Sequence, residues 1–259
     1  MTEAFGFLRR NNIEPILIKG WAAARYYPQP FERSFSDIDL MVAAAQYQNA
    51  LKILQDYRDP IDLHREAKTL DTRSFAEHFA GSELVRCGQT AIRVLCREDH
   101  LRVLCVHWLT DGGAKKDKLW DIYYAVKNRP ANFDWEKCLG VVSRKRRRWI
   151  LCTIGLAHRY LGLDISDLSF AEECENIPVW VIKTIEKEWE IQIPLLPLHQ
   201  HLNHRREFWR QVKKRFPPNA VQATINGEGS FDDKSRLYYQ LTDFFRRLLP
   251  SAKRIFRSR

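Results

Sequence analysis

The segment Ser36-Asp-Ile-Asp-Leu-Met-Val42 constrains this chain more than any other stretch of it. It reads as a β-strand, and side chains on a strand alternate between its two faces. Asp37 and Asp39 then point one way, while Ile38 and Leu40 turn into a core. Two carboxylates side by side repel each other, and a cation held between them removes that cost. Alone, the pair fits the solvent face of an edge strand equally well, so its surroundings have to decide.

Those surroundings come in a definite order. Residues 2–11 read as a helix, and Pro15-Ile-Leu-Ile-Lys19 as a short apolar strand closed by Gly20. Residues 21–27 are helical by composition and are stopped by Pro28-Gln-Pro30. A polar loop carrying Arg33 leads into the Asp-x-Asp strand. Apolar residues then recur at helical spacing through 43–57 (Tyr47, Ala50, Leu51, Leu54). Ile61-Asp-Leu-His64 is a third strand candidate, with the single acid Asp62 between two apolar residues.

A helix is expected at 71–79, and a hairpin at 83–87 and 91–96 around a Cys-Gly-Gln-Thr turn. From residue 98 the period becomes helical, with one stripe at Leu101, Leu104, Cys105 and Trp108 and another at Leu119, Ile122, Tyr123 and Val126. Further helices are expected at 149–161, 179–189 and 231–249. The expected fold class is α+β: an α/β core over residues 1–96 with a small mixed sheet flanked by helices, then a helical region over 97–259 with a basic C-terminal tail.

Bulk properties narrow the setting. The net charge is +10, and from Arg205 onward 14 Lys and Arg face 5 Asp and Glu, so nearly all the excess belongs to the tail. Six cysteines include no Cys-x-x-Cys pair and sit mostly among apolar neighbours, which suggests buried free thiols in a reducing compartment, with the cytoplasm as the default. No apolar run approaches the ~20 residues that span a bilayer, and the N-terminus reads as a helix start rather than a signal peptide.

The ordered set resembles the polymerase-β-like nucleotidyltransferase superfamily, with its glycine turn after the first strand, its hydrophobic-Asp-hydrophobic-Asp strand and its third acid. It is more closely similar to a bacterial family of uncharacterised nucleotidyltransferases. The residues that carry the likeness are Ile18-Lys19-Gly20, Tyr27-Pro28, Arg33, Asp37-Ile-Asp-Leu40, Asp62-Leu-His64, His107 and Lys118-Leu-Trp-Asp-Ile122.

The resemblance implies transfer of a nucleoside monophosphate from an NTP, ATP first, to a hydroxyl acceptor with release of pyrophosphate. The acceptor is left open between a small molecule, a protein and an RNA. It implies Mg²⁺, with Mn²⁺ as a substitute, held by Asp37, Asp39 and Asp62 as hard oxygen ligands, and Asp62 helping to deprotonate the acceptor. Lys19 and Arg33 are candidates for neutralising the triphosphate. Gly20 would let the backbone approach the phosphates, and Ser36 either donates to a phosphate or caps its strand.

Lys19-Gly20 stands where the superfamily has Gly-Gly/Ser, and the Asp39–Asp62 interval is shorter than the family's. That interval is the basis for a second reading, a catalytically inactive nucleotidyltransferase-like module that binds RNA or a protein partner. His64 shares the side of Asp62, His100 and His107 are expected to pack, and Asp121 either approaches the cleft or hydrogen-bonds internally. The stripe Leu237, Tyr238, Leu241, Phe244, Phe245 and Leu248 is expected to pack on the domain. The cations of 205–215, 253–259 and 144–148 are read as a solvated face, an RNA-binding surface or a contact with an anionic surface.

Overall fold

The computed structural model describes residues 1–35, 37–55, 57, 60–67, 70–191 and 204–257. The N-terminal part contains helices α1 (Thr2–Arg9), α2 (Trp21–Ala24), α3 (Tyr47–Ile53) and α4 (Phe75–Gly81). Its strands are β1 (Ile16–Leu17), β2 (Ile38–Val42), β3 (Ile61–Arg65), β4 (Glu83–Cys87) and β5 (Thr90–Val94). Helices follow: α5 (Arg97–Thr110), α6 (Leu119–Lys127), α7 (Trp135–Leu139), α8 (Arg144–Leu161) and α9 (Ala171–Glu175). The last are α10 (Val179–Ile191), α11 (Arg205–Arg215), α12 (Ala220–Asn226) and α13 (Leu237–Arg257).

The strands form one mixed five-stranded sheet in the order β3-β2-β1-β5-β4, so the fold is α+β. β2 runs parallel to β3 and antiparallel to β1, and this register sets Asp39 directly opposite Asp62. β1 is fully buried, and the chain leaves it through Lys19 and Gly20 straight into α2. Gly20 sits at φ 63°, where any side chain would be strained, so the tight strand-to-helix turn requires glycine here.

Each face of the sheet has its own core. Ile38, Leu40 and Val42 of β2 pack with Phe5 and Leu8 of α1 and Ala50 of α3. Met41, one step out of phase, joins Ile16 and Ile18 against α5, α6 and α8. Asp39 shares the phase of Met41 and therefore faces the helices.

α8 is the central helix: Trp149 through Ala157 are buried almost without interruption, Ser143 caps its start and left-handed Gly162 closes its end. Gly155 admits α9 so closely that a Cβ there would stand 1.9 Å from the Cys174 carbonyl oxygen. All six cysteines are free, five of them buried, and burial pushes the Cys96 thiol up to about 11 and that of Cys152 to about 12.

Beside this core lies a buried ionic cluster. Arg102 on α5 donates from Nε to Asp71 (2.8 Å) and from Nη2 to Asp99 (2.6 Å), and from Nη1 to the Lys137 carbonyl. Arg73 donates to the same Asp99 oxygen at 2.9 Å, and His78 Nδ1 lies 3.0 Å from the other. The cluster ties the β3–α4 connection to α5 and α7. Burial alone would raise Asp99, but the His78 hydrogen bond and the Arg102 charge outweigh it and hold the carboxyl below its ordinary value.

The pattern of the chain anticipates most long elements but not the shortest. α7, α9 and α12 span five to seven residues, too few turns to display a period. The 43–57 helix is broken into a 3-10 turn, Ala44–Gln46, and α3. The expected helix at 231–249 starts only at Leu237, because Ser230, Asp233 and Arg236 close a hydrogen-bonded turn before it. Most of its apolar stripe does not pack: Leu237, Tyr238, Leu241 and Phe245 are exposed, while half-buried Phe244 meets the Phe216 ring edge to face. Polar contacts also face inward, with Gln240 donating to the Pro218 carbonyl and Asp243 accepting from Asn226. The side chain of Leu248 lies outside the described residues.

Removing Arg102 strands two buried carboxylates, so Arg102→Met is expected to lower unfolding free energy by about 3–5 kcal/mol in urea titration. Asp99 contributes stability that is complete above its unfolded pKa, about 3.9, and that is lost as pH falls through the lowered folded value. Acidification below about pH 4 should therefore erode wild-type stability more steeply than that of Asp99→Asn; equal slopes in the two proteins would contradict the assignment.

Candidate functional site

The mid-sheet acid on β2 meets its neighbours at short range. Asp39 is buried, and the backbone N–H of Ile18 donates to the Asp39 carbonyl, which brings the residue after Ile18 alongside. That residue is Lys19, also buried, whose Nζ lies 2.6 Å from Oδ1 of Asp39. On β3, His64 Nε2 stands 3.2 Å from Oδ1 of Asp39 and 3.2 Å from Oδ2 of Asp62. Burial would raise the Asp39 carboxyl, but the His64 hydrogen bond and the Lys19 charge prevail and hold it below its usual range. Asp39 is an anion here.

Asp39, Asp62 and His64 offer ligand atoms that all lie within 4.8 Å of one another. Two carboxylate oxygens and an imidazole nitrogen suit a divalent cation, and the oxygen pair suits a hard one. Asp37 stands outside this triplet, exposed just before β2, but lines the same cleft. The cleft encloses about 670 Å³ between the sheet and the helices. Lys19, Gly20, Arg33, Asp37, Asp39 and Asp62 all border it, so the structure brings the described site candidates together. Ser36 lies outside the described residues.

The opposite wall comes from α5, the loop after it and α6. Leu104, Trp108 and Ile122 provide an apolar strip, and Trp108 is pinned by donating from Nε1 to the Lys115 carbonyl at 2.9 Å. Asp111, Lys115 and Lys118 stand at the mouth. Neither lysine makes an ion pair with a described acid, although Asp111 and Asp117 line the same wall. No strand alternation or helical period marks them, which is why sequence reasoning passed over Lys115 and met Lys118 only inside a longer motif. His107 lines the same wall, and burial together with the Lys19 charge pushes its pKa down. His100, one turn pair earlier, is fully buried against the Tyr26 hydroxyl at 2.7 Å and belongs to the core.

Arg33 is engaged differently from the sequence expectation. Its Nε donates to Oδ1 of Asp121 at 2.7 Å and its Nη2 to Oδ2 at 2.8 Å, a two-pronged pair with both side chains at most 8% exposed. The Tyr27 hydroxyl donates to the same Oδ1 at 2.7 Å, and burial and the Asp121 charge raise its pKa, which keeps it a donor. The guanidinium charge is thus matched within the protein. The pair fastens the α2–β2 loop to α6 and shapes the cleft rim.

Residues 1–58 match the family model described as uncharacterised nucleotidyltransferase. The match includes Lys19, Gly20, Arg33, Asp37 and Asp39 and ends before Asp62. It supports nucleotidyl transfer as the general chemistry of the chain. No curated protein and no solved structure matches it.

Asp121→Ala leaves the Arg33 guanidinium nearly buried without its carboxylate, which should cost about 3–5 kcal/mol of stability. Faster hydrogen exchange in residues 27–35 is expected to accompany the loss. Unchanged exchange there would show that the pair does not hold the loop.

Proposed function

We propose that the cleft transfers a nucleoside monophosphate from an NTP, ATP first, to a hydroxyl acceptor with release of pyrophosphate. The observation that carries this reading is the Asp39–Asp62 pairing on adjacent parallel strands, with Asp37 on the same cleft and Lys115 and Lys118 on its opposite wall. The family match over residues 1–58 agrees with it.

Asp39 and Asp62, joined by Asp37, would hold Mg²⁺, with Mn²⁺ able to replace it; His64 is placed to contribute a nitrogen. The ion supplies Lewis-acid charge compensation for the transferred phosphoryl group. The protein's own groups supply the rest. Lys115 and Lys118 face the position of the triphosphate and would bind its oxygens, a role for which Arg33 is already committed to Asp121. Lys19 holds Asp39 ionised and in place. Gly20 leaves the start of α2 open to close approach.

In the reaction the acceptor oxygen bonds to the α-phosphorus, the bond to the β-phosphate oxygen breaks, and pyrophosphate departs with that electron pair. The hydroxyl proton passes to Asp62, the more exposed of the paired carboxylates, and from there to water.

One observation favours the second reading, a non-catalytic module of the same ancestry that binds RNA or a protein. Lys19 already places a cation on Oδ1 of Asp39, which reduces the demand for a metal ion. The two readings separate in one assay with labelled NTPs, Mg²⁺ or Mn²⁺ and cell extract as the acceptor source. Transfer should be abolished by chelator and should fall about 10²-fold or more in Asp39→Asn, the loss of several kcal/mol of charge stabilisation. Lys118→Ala should raise KM for the NTP about tenfold, as expected for one lost charge-assisted contact. Intact protein that transfers no nucleotide under any of these conditions leaves the binding module as the surviving reading.

A further inference from the structure

A second concave surface lies away from the carboxylates, between α10, α11 and the turn before α12, and encloses about 910 Å³. Lys183 and Lys187 stand four residues apart on α10, hence on one face. Arg206, Arg210 and Lys213 recur at helical spacing on one face of α11. Like charges so spaced destabilise a helix by a few tenths of a kcal/mol per pair. Among the described residues one carboxylate, Glu188, lines the groove against these five cations. Lys183, Lys187, Arg206 and Lys213 make no ion pair with a described acid, and Arg210 meets Glu207 only at 3.4 Å. The lining therefore sets five cations against one carboxylate.

Two large rings border the same groove. Trp209 is 60% exposed and Phe216 53% exposed, each beside the cations. Cations that track a backbone, combined with exposed aromatic faces, match what an unpaired polynucleotide presents: phosphates in series and bases with free π-faces. A duplex hides those faces in its stack. The basic cluster at 144–148 lacks this character. Arg146 pairs with Glu228, Arg147 with Glu173, and Arg148 donates to the carbonyls that end α9.

We propose that this groove binds a single strand of nucleic acid, its phosphates held by the α10 and α11 cations and its bases stacked on Trp209 and Phe216. The groove also neighbours the cleft. Asn219 on its rim donates to the Gly112 carbonyl at 3.1 Å, and the adjacent Asp111 lines the cleft. A strand lying in the groove can therefore extend past the α5–α6 loop toward the carboxylates. Binding in the groove does not depend on the transfer reading; presentation of a strand end as acceptor does.

The test is fluorescence anisotropy of the full chain with labelled oligouridylate and oligothymidylate, alongside a duplex of equal length and phosphatidylglycerol vesicles. Single strands are expected to bind, with affinity falling steeply as salt rises. Lys183→Ala combined with Lys213→Ala should weaken binding at least about tenfold and reduce the log–log salt slope by about 1.4, at ~0.7 per lost phosphate contact. Trp209→Ala should weaken it about tenfold, whereas Arg144→Ala, an exposed cation off the groove, should change nothing. Absent single-strand binding, equal affinity for duplex or vesicles, or an unchanged lysine double variant would overturn the proposal. The same titration in Asp39→Asn separates the two sites: retained binding keeps the groove whatever the fate of the transfer reading, and lost binding would move the strand into the cleft and overturn the groove.

Discussion

A carboxylate on a buried strand has to be met by positive charge or by strong donors, and Asp39 sets that demand at the centre of the sheet. Lys19, just beyond β1, and His64 on β3 answer it at 2.6 Å and 3.2 Å. Both contacts depend on pairing register. A slip of one residue in β2 would turn Asp39 into the α1–α3 core and bring Leu40 into the cleft. The Ile38, Leu40 and Val42 face, packed on Phe5 and Leu8, is what forbids that slip. The geometry of the cleft thus rests on the hydrophobic side of the strand that carries its acid.

The cleft has two walls because the chain bridges them twice with ionic contacts that exclude water. Arg33 and Asp121 join the α2–β2 loop to α6, and Arg102 joins Asp71 and Asp99 behind the helices. Such pairs add little net stability over apolar residues of the same volume, since desolvation offsets the attraction. Their effect is on placement. A guanidinium that must meet both oxygens of one carboxylate tolerates few orientations, so the loop before β2 and the helix opposite keep one relation. That relation pairs Arg33 within the protein and leaves Lys115 and Lys118 on the opposite wall with no ion pair to a described acid.

Charge is distributed by the same logic. The net excess of the chain falls in its last fifth, yet not all of it is equivalent. Cations at the start of α8 close on acids and carbonyls of the described fold and serve to hold α9 and the turn after α12. Those lining the α10–α11 groove face solvent with one carboxylate among them. Equal formal charges therefore do different physical work, and only their described partners distinguish them. The apolar stripe of α13 makes the converse point: Leu237, Tyr238, Leu241 and Phe245 have the period of a packed face, but Gln240 and Asp243 turn the helix so that these four side chains meet water while Phe244 meets Phe216.

Periodicity and punctuation were enough to read from the chain the mixed sheet, the Asp-x-Asp strand on it, Gly20 at the turn and the long helices, because those features depend on residues near one another in sequence. The grouping of Lys19, Asp39 and Asp62 at one site was implied by the family resemblance, not by the pattern of the chain. The tertiary structure decided the rest. It inserted His64 between two acids, committed Arg33 to a carboxylate 88 residues away, and brought Lys115 and Lys118 opposite the sheet. These are meetings of side chains from distant elements, and each is settled by which charge finds a partner at contact distance once the cores have packed. A sequence lists the charges; the fold alone pairs them.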